Sequence, residues 1–289
     1  MAESPAHKFG QVIGGLLESV VRPQLEAFCR QHGLYLDHQG RDRRARRGRK
    51  VAWQDQYGNT HDLDFVIERD GSDEAIGQPL AFIEVAWRRY TKHSRNKAQE
   101  IQGAILPLAE KYNWNSLFLG TVLAGVFTEG SLEQLKSHGF HVLYFPYETL
   151  VAAFEGEAID IRFDEGTPDE AFRACADRIE SAPPEVVTSI KQRLIEANQG
   201  PIDDFFAALN HRLTRSILRV LMIPLYGRVN QFATIGDALR FLDQHAIYEG
   251  SGEFRKYEVQ IEFSNGDKVQ GSFDSKYGAR EFLELVSKQ

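Results

Sequence analysis

The order of apolar patterns along residues 8–155 constrains the fold more than any other feature of this sequence. Apolar residues first recur at helical spacing, three short strand-like runs follow, and helical and strand-like segments then alternate. The resulting order, α-β-β-β-α-β-α-β, is typical of a mixed sheet flanked by helices. We therefore predict an α/β fold with a mixed central sheet flanked by helices, followed by a C-terminal α+β extension.

The patterns also give approximate bounds and a division into two domains. The predicted helices of the first domain, residues 1–155, are 8–31, 94–112, 131–138 and 148–155. The predicted strands are 51–55, 61–68, 80–87, 116–127 and 140–145. The second domain, residues 156–289, should hold a mainly helical segment at 185–225, a hairpin of strands 256–263 and 268–273, and a helix at 277–287. We assign it to substrate recognition or dimerisation.

Composition excludes several classes of protein. With 289 residues, 42% hydrophobic and 26% charged, the chain is typical of a globular protein and not of a disordered one. Two cysteines cannot form a disulfide framework or a cysteine-ligated zinc site. No apolar run is long enough to cross a bilayer, and the N-terminus has no signal-peptide pattern. We therefore expect a cytoplasmic protein with no membrane partner.

Basic residues are concentrated in two segments of a chain whose net charge is −7. Residues 41–50 carry seven basic side chains and one acidic one, and residues 86–97 carry five basic side chains and none acidic. This distribution indicates a protein that meets a polyanion at one place, although each run alone could be a solvated loop. The residues expected to bind nucleic-acid phosphates are Arg43, Arg44, Arg46, Arg47, Arg88, Arg89, Lys92 and Arg95.

Acidic side chains interrupt two of the apolar strands, which is costly unless something compensates their charge. Asp62 and Asp64 should share one face of strand 61–68, and Glu84 lies within strand 80–87. If the two strands are neighbours, Asp64 and Glu84 can meet at one cation, and such hard oxygen ligands suit Mg²⁺. Alternatively, the aspartates are exposed on an edge strand, and Glu84 forms a buried ion pair with Arg88 or Lys97.

The segments LDFVI (63–67) and FIEVAW (82–87), in this order of elements, resemble the PD-(D/E)XK nuclease superfamily over about residues 8–150. The resemblance implies a metal-dependent phosphodiesterase in which Asp64 and Glu84 bind Mg²⁺. The metal would polarise the scissile phosphate and lower the pKa of the attacking water. The family's lysine would help to position or deprotonate that water and offset the charge on the phosphate.

The sequence departs from the family pattern at that lysine, since Ala86 occupies its place. Lys92 and Lys97 follow downstream, and we favour Lys97 because it lies in the first turn of the next predicted helix. Some members of the family add an acidic ligand from the first helix, which would make Glu18 a third metal ligand. The alternative is that Glu18 is a surface residue.

The sequence thus predicts a magnesium-dependent endonuclease that acts on double-stranded DNA, of the restriction or phage-defence type, and that works as a homodimer. A second hypothesis is a catalytically inactive nuclease-fold subunit that only binds DNA, because Ala86 replaces the motif lysine. A third is an interaction module whose acidic C-terminal half docks a partner enzyme. Metal-dependent cleavage separates the first hypothesis from the second, and salt-dependent DNA binding separates both from the third.

Overall fold

The computed structural model describes residues 4–90, 94–112, 117–164, 166–214, 216–224, 229–244, 256–264 and 267–287. The chain forms two compact units, Met1–Leu213 and Thr214–Gln289. The boundary was predicted after residue 155, but it lies after Leu213 because three further helices pack onto the core of the first unit. No helix in the described ranges is long and apolar enough to cross a membrane.

The first unit alternates helices and strands much as the sequence predicts. Its helices are α1 (Pro5–His32), α2 (Ser94–Lys111), α3 (Glu129–Ser137), α4 (Tyr147–Glu155), α5 (Asp169–Glu180), α6 (Pro184–Ala197) and α7 (Gln199–Leu213). Its strands are β1 (Tyr35–His38), β2 (Val51–Gln54), β3 (Thr60–Leu63), β4 (Phe65–Arg69), β5 (Gln78–Arg88), β6 (Phe118–Gly125) and β7 (Phe140–Pro146). Strand β1 and helix α5 were not predicted.

A five-stranded mixed sheet forms the centre of this unit, in the order β1-β4-β5-β6-β7. Strands β1, β4 and β5 pair antiparallel, whereas β5, β6 and β7 pair parallel. Every residue of β6 is buried, as expected for an apolar strand inside a sheet that is covered on both faces. The predicted α/β fold with a mixed sheet flanked by helices is therefore confirmed.

The two faces of the sheet pack against different helices. Helix α1 covers the face that carries Ile83, where Ile13 and Leu17 enter the larger apolar cluster. Helix α2 covers the opposite face, where Ala98 packs in a second cluster with Phe82. Because side chains alternate along a strand, Glu84 belongs to the face that α2 covers.

Helix α1 runs without interruption through Pro23. The side chain of Ser4 caps its first turn, and Gly33 ends it in the left-handed conformation with φ of 65°. The apolar face of α1 is buried along most of its length, so tertiary packing outweighs the missing backbone hydrogen bond at proline.

The predicted strand 61–68 is two strands in the structure. Strand β3 pairs only with β2, in a separate two-stranded sheet, whereas β4 belongs to the central sheet. Asp64 lies in the break between them, so it does not share a strand face with Asp62. The exposed Asp62 pairs with Lys50, whereas Asp64 turns inward.

The second unit has the strand order β11-β10-β8-β9 in an antiparallel sheet. Its elements are β8 (Ile217–Pro224), β9 (Asn230–Phe232), α8 (Ile235–Gln244), β10 (Tyr257–Phe263), β11 (Lys268–Phe273) and α9 (Lys276–Ser287). The predicted hairpin is confirmed, with Tyr257 opposite Phe273, and so is the last helix. The helical prediction for 185–225 fails at its end, because β8 begins at Ile217.

Candidate metal centre and adjoining cleft

The two carboxylates that the sequence singled out lie side by side on neighbouring strands. Phe65 pairs with Ile83 across the antiparallel strands β4 and β5. Asp64 precedes Phe65 and Glu84 follows Ile83, so the two acidic residues are neighbours. The backbone N–H of Val85 donates a hydrogen bond of 2.6 Å to Oδ2 of Asp64. This bond fixes the carboxylate of Asp64 with respect to the backbone of β5.

Two oxygen atoms at this site are buried without a hydrogen-bond partner among the described residues. One is Oε2 of Glu84, whose side chain is only 16% exposed, and the other is the hydroxyl of Thr121. Thr121 lies opposite Glu84 in the parallel register of β5 and β6 and is fully buried. Thr121 was not predicted as a site residue, since it lies in an uninterrupted apolar run. Each of these oxygens can accept a further hydrogen bond, and that of Glu84 can also bind a cation.

Lys97 reaches the carboxylate pair from α2, as predicted. Its ammonium nitrogen lies 3.8 Å from Oε1 of Glu84 and 3.6 Å from Oε2 of Glu100, and its side chain is largely buried. The alternative ion pair of Glu84 with Lys97 thus exists, and it leaves Oε2 of Glu84 unbonded. The other candidate, Lys92, lies outside the described residues. Ala86, at the position of the motif lysine, is buried in the apolar cluster beneath α2.

Glu18 and Gln39, a residue that was not predicted, also lie beside Asp64. The carboxamide nitrogen of Gln39 donates to Oδ1 of Asp64 and, at 3.3 Å, to Oε1 of Glu18. Helix α1 therefore brings Glu18 to the site, as predicted, but the amide of Gln39 bonds to both carboxylates. The role of Gln39 depends on its place directly after strand β1, so it could have been predicted only together with that strand.

The pKa values of all three carboxyl groups are raised, and burial is the main cause. Burial raises the pKa of Glu84 to about 8, and repulsion from Asp64 adds to the rise. Burial also raises the pKa of Asp64 to about 6, although the N–H of Val85 and the charge of Lys97 oppose it. Burial and then repulsion from Asp64 raise the pKa of Glu18 to about 7. A cation at this place would favour the charged form of all three groups.

The donor set fits a hard divalent cation that keeps much of its water. Within the described parts of the chain, no set of three or more His, Cys, Asp or Glu side chains is arranged to hold a metal. Glu18 is therefore not placed as the predicted third ligand beside Asp64 and Glu84. Two carboxylates leave most of an octahedral shell to water and phosphate oxygens, which is how Mg²⁺ is commonly bound.

The raised pKa values predict an unusual stability profile for the metal-free protein. The folded state holds protons that the unfolded chain has lost, so the free energy of unfolding should fall as pH rises from about 5 to 8. Glu84→Gln removes the largest contribution. In EDTA, we expect it to stabilise the protein by on the order of 3 kcal/mol at pH 8 and by much less at pH 5.

Urea unfolding of wild type and Glu84→Gln at both pH values measures this difference, and Asp62→Asn, a change on the exposed strand β3, is the control. Equal stabilities of wild type and Glu84→Gln at pH 8 would contradict the raised pKa of Glu84.

A cleft of about 680 Å³ opens between the first half of α1, the end of β5 and the start of α2, and Lys97 lines it, whereas Asp64 and Glu84 do not. Its basic lining residues are Arg88, Arg89 and Lys97. The guanidinium of Arg88 is 3.5 Å from Glu100, and that of Arg89 stacks over the ring of Phe172 at 4.2 Å. Arg88 and Arg89 of the predicted basic segment therefore line a concave surface together with Lys97, the residue that also contacts Glu84.

Two arginines of the basic loop 41–50 have a structural role instead of the predicted phosphate-binding one. The side chain of Arg43 is fully buried, and it bonds to Asp37 at 2.8 Å and to Glu68 at 2.6 and 2.9 Å. Arg46 is almost as buried and donates to both oxygens of Asp37. These guanidiniums are bound to carboxylates buried on β1 and β4, so they cannot reach a phosphate.

Three further arginines that were predicted to bind phosphates, two in the loop 41–50 and one on α2, are exposed. Arg44 is 80% exposed and pairs with Glu74 at 2.6 Å, and both Arg47 and Arg95 are exposed. A surface ion pair such as that of Arg44 contributes little and exchanges readily for a phosphate.

Comparison with known proteins does not assign this chain to a family. No protein-family model matches it, and no curated protein does. It matches the crystal structure of a protein of unknown function, AF1548, with 15% identity over 66% of this chain and 99% of that one. The TM-score of 0.29 is too low to support an argument about fold or function.

Proposed function

We propose that this protein is a magnesium-dependent endonuclease that hydrolyses phosphodiester bonds of double-stranded DNA, with a core of the PD-(D/E)XK type. The observation that carries the proposal is the buried cluster of Asp64, Glu84 and Lys97, in which Oε2 of Glu84 has no hydrogen-bond partner among the described residues. Two carboxylates beside one amine that lines a cleft are groups that can support metal-assisted phosphodiester hydrolysis. The raised pKa of the buried Glu84 supports a catalytic site on physical grounds as well.

Each residue has a distinct role in this proposal. Asp64 and Glu84 would hold Mg²⁺. The ion, when bound, supplies a Lewis acid for the phosphoryl oxygen and a water of lowered pKa. Lys97, held beside Glu84 at 3.8 Å, would orient that water and offset the charge that develops on the phosphate.

The cleft supports DNA as the substrate class. Arg88 and Arg89 bring two guanidiniums to its wall next to Lys97, where they can bind phosphates on both sides of the scissile bond. The exposed Arg44, Arg47 and Arg95 would extend this contact without reading sequence. Arg43 and Arg46 are not part of the proposed interface. A homodimer, the commonest kind of oligomer, would present two such sites to the two strands for restriction or phage-defence cleavage in the cytoplasm.

Incubation of long unmodified and methylated DNA with the protein, in Mg²⁺ and in EDTA, tests the proposal. We expect fragments in Mg²⁺ and intact DNA in EDTA. Salt-dependent binding without cleavage would favour the inactive DNA-binding subunit instead, for which the burial of Ala86 at the motif position is the supporting observation. If the protein neither bound nor cleaved either DNA, both proposals would be contradicted.

Replacement of Lys97 by Met should lower the cleavage rate by about 10²-fold or more, since the positioned amine is lost from beside Glu84. Single-turnover cleavage at saturating Mg²⁺ measures the effect. Lys136→Met, a change at an exposed lysine on α3, is the matched control. Full activity of Lys97→Met together with loss of activity in Lys92→Met would transfer the role to Lys92.

A further inference from the structure

Gln39 has a fixed position beside the candidate metal centre. It directly follows β1, whose last residue, His38, pairs with Phe65 of β4. The backbone N–H of Gln39 donates to the carbonyl oxygen of Asp64 at 3.2 Å, which extends the pairing by one step. Next in the chain, Gly40 has φ of 85° and its N–H donates to the carbonyl of Arg49 at 2.9 Å. The backbone of Gln39 is thus held from both sides.

The carboxamide of Gln39 is the second of two donors that fix the carboxylate of Asp64. The N–H of Val85 holds Oδ2, and the carboxamide nitrogen of Gln39 holds Oδ1. An ionised carboxylate has about four lone-pair sites, so one bond to each oxygen leaves room for a cation. The two donors together therefore orient Asp64 without blocking it.

The same carboxamide also restrains Glu18. Its nitrogen donates to Oε1 of Glu18 at 3.3 Å, and an amide nitrogen has two hydrogens, one for each carboxylate. Without this donor, Glu18 and Asp64 would face each other with no hydrogen bond between them to offset their repulsion. Gln39 therefore joins a residue of α1 to a residue of the central sheet at the edge of the proposed metal site.

We infer that Gln39 is a positioning residue that sets the affinity of the Asp64–Glu84 pair for its divalent cation. The inference rests on the proposed function, because it requires that Asp64 and Glu84 bind a metal. Groups that hydrogen-bond to metal ligands fix the orientation of those ligands, and their loss typically weakens metal binding by about 10–100-fold. Gln39 donates a hydrogen bond to Asp64 and takes no part in the proposed chemical step, so its loss should affect metal binding.

Titration of metal-free protein with Mn²⁺, followed by calorimetry, tests the inference without any cleavage reaction. Gln39→Met keeps the length of the side chain and removes both donors, and we expect it to weaken Mn²⁺ binding by about 10–100-fold. Gln31→Met makes the same change at an exposed position near the end of α1 and should bind Mn²⁺ like wild type. In the cleavage assay, Gln39→Met should need more Mg²⁺ for half-maximal rate, yet approach the wild-type rate at saturation.

The outcomes separate this inference from the proposed function. If wild type binds Mn²⁺ and cleaves DNA but Gln39→Met binds Mn²⁺ equally well, the positioning role is wrong and the proposed function stands. If wild type does not bind Mn²⁺, the proposed metal centre fails and the role of Gln39 fails with it. Thermal unfolding verifies that Gln39→Met is folded. If it is not, Gln39→Asn, which is one methylene too short to span both carboxylates, should show the same weakening.

Discussion

Asp64→Ala and Glu84→Gln are each expected to lower the rate of magnesium-dependent DNA cleavage by at least about 10³-fold. Each substitution removes one of the two carboxylates that would hold the metal, and the lost stabilisation of the transition state amounts to several kcal/mol. Asp64 has a further role, because its carboxylate accepts the N–H of Val85 and the amide of Gln39. Glu84→Gln keeps the shape of the side chain and removes its charge, so it isolates the electrostatic contribution.

Asp62→Asn is the matched control for this pair, because Asp62 lies two residues from Asp64 but is exposed on β3. It should cleave DNA at the wild-type rate. Cleavage that survives Asp64→Ala would place the chemistry elsewhere in the molecule, and loss of cleavage in Asp62→Asn would show that β3 itself contributes. The measurement is the single-turnover rate on a defined duplex at saturating Mg²⁺, with circular dichroism to verify folding.

The sequence predicted the part of the fold in which local pattern and tertiary packing agree. Strand β6 reads as an uninterrupted apolar run and is fully buried, and α2 begins at Ser94 as expected. The meeting of Asp64 and Glu84 followed from the assumption that their strands are neighbours, which the pairing of β4 with β5 bears out. Lys97 was assigned to the first turn of α2, and α2 packs over the face that carries Glu84.

Other features depend on contacts between distant parts of the chain, which a local pattern does not encode. The break at Asp64 arises because β3 leaves the central sheet to pair with β2. Gln39 is separated from Asp64 by 25 residues, and its role depends on the pairing of the four-residue strand β1. A run of arginines looks alike in sequence whether its members face solvent or a buried carboxylate, so Arg43 could not be told from Arg44.

Arg43→Ala should destabilise the folded protein by about 3–5 kcal/mol, the usual cost of removing one partner from a buried ion pair. The guanidinium of Arg43 bonds to two fully buried carboxylates, those of Asp37 and Glu68, and to the carbonyl oxygens of Ser72 and Ala75. Removal of the side chain leaves two buried negative charges with Arg46 on Asp37 as their main remaining compensation. Burial alone would raise the pKa of Asp37, yet the hydrogen bonds from Arg46 and Arg43 hold it below its ordinary value.

Urea unfolding at pH 7 measures this loss, and Arg44→Ala is the neighbouring control. Arg44 is 80% exposed, so its replacement should change the free energy of unfolding by no more than about 0.5 kcal/mol. Arg43→Lys should recover only part of the loss, because an ammonium cannot make the paired contacts of a guanidinium to Glu68.

If Arg43→Ala were as stable as wild type but bound DNA more weakly, the buried network would be wrong and Arg43 would return to the phosphate-binding surface. Salt-dependent DNA binding should instead weaken in Arg44→Ala, since that side chain is free to reach a phosphate.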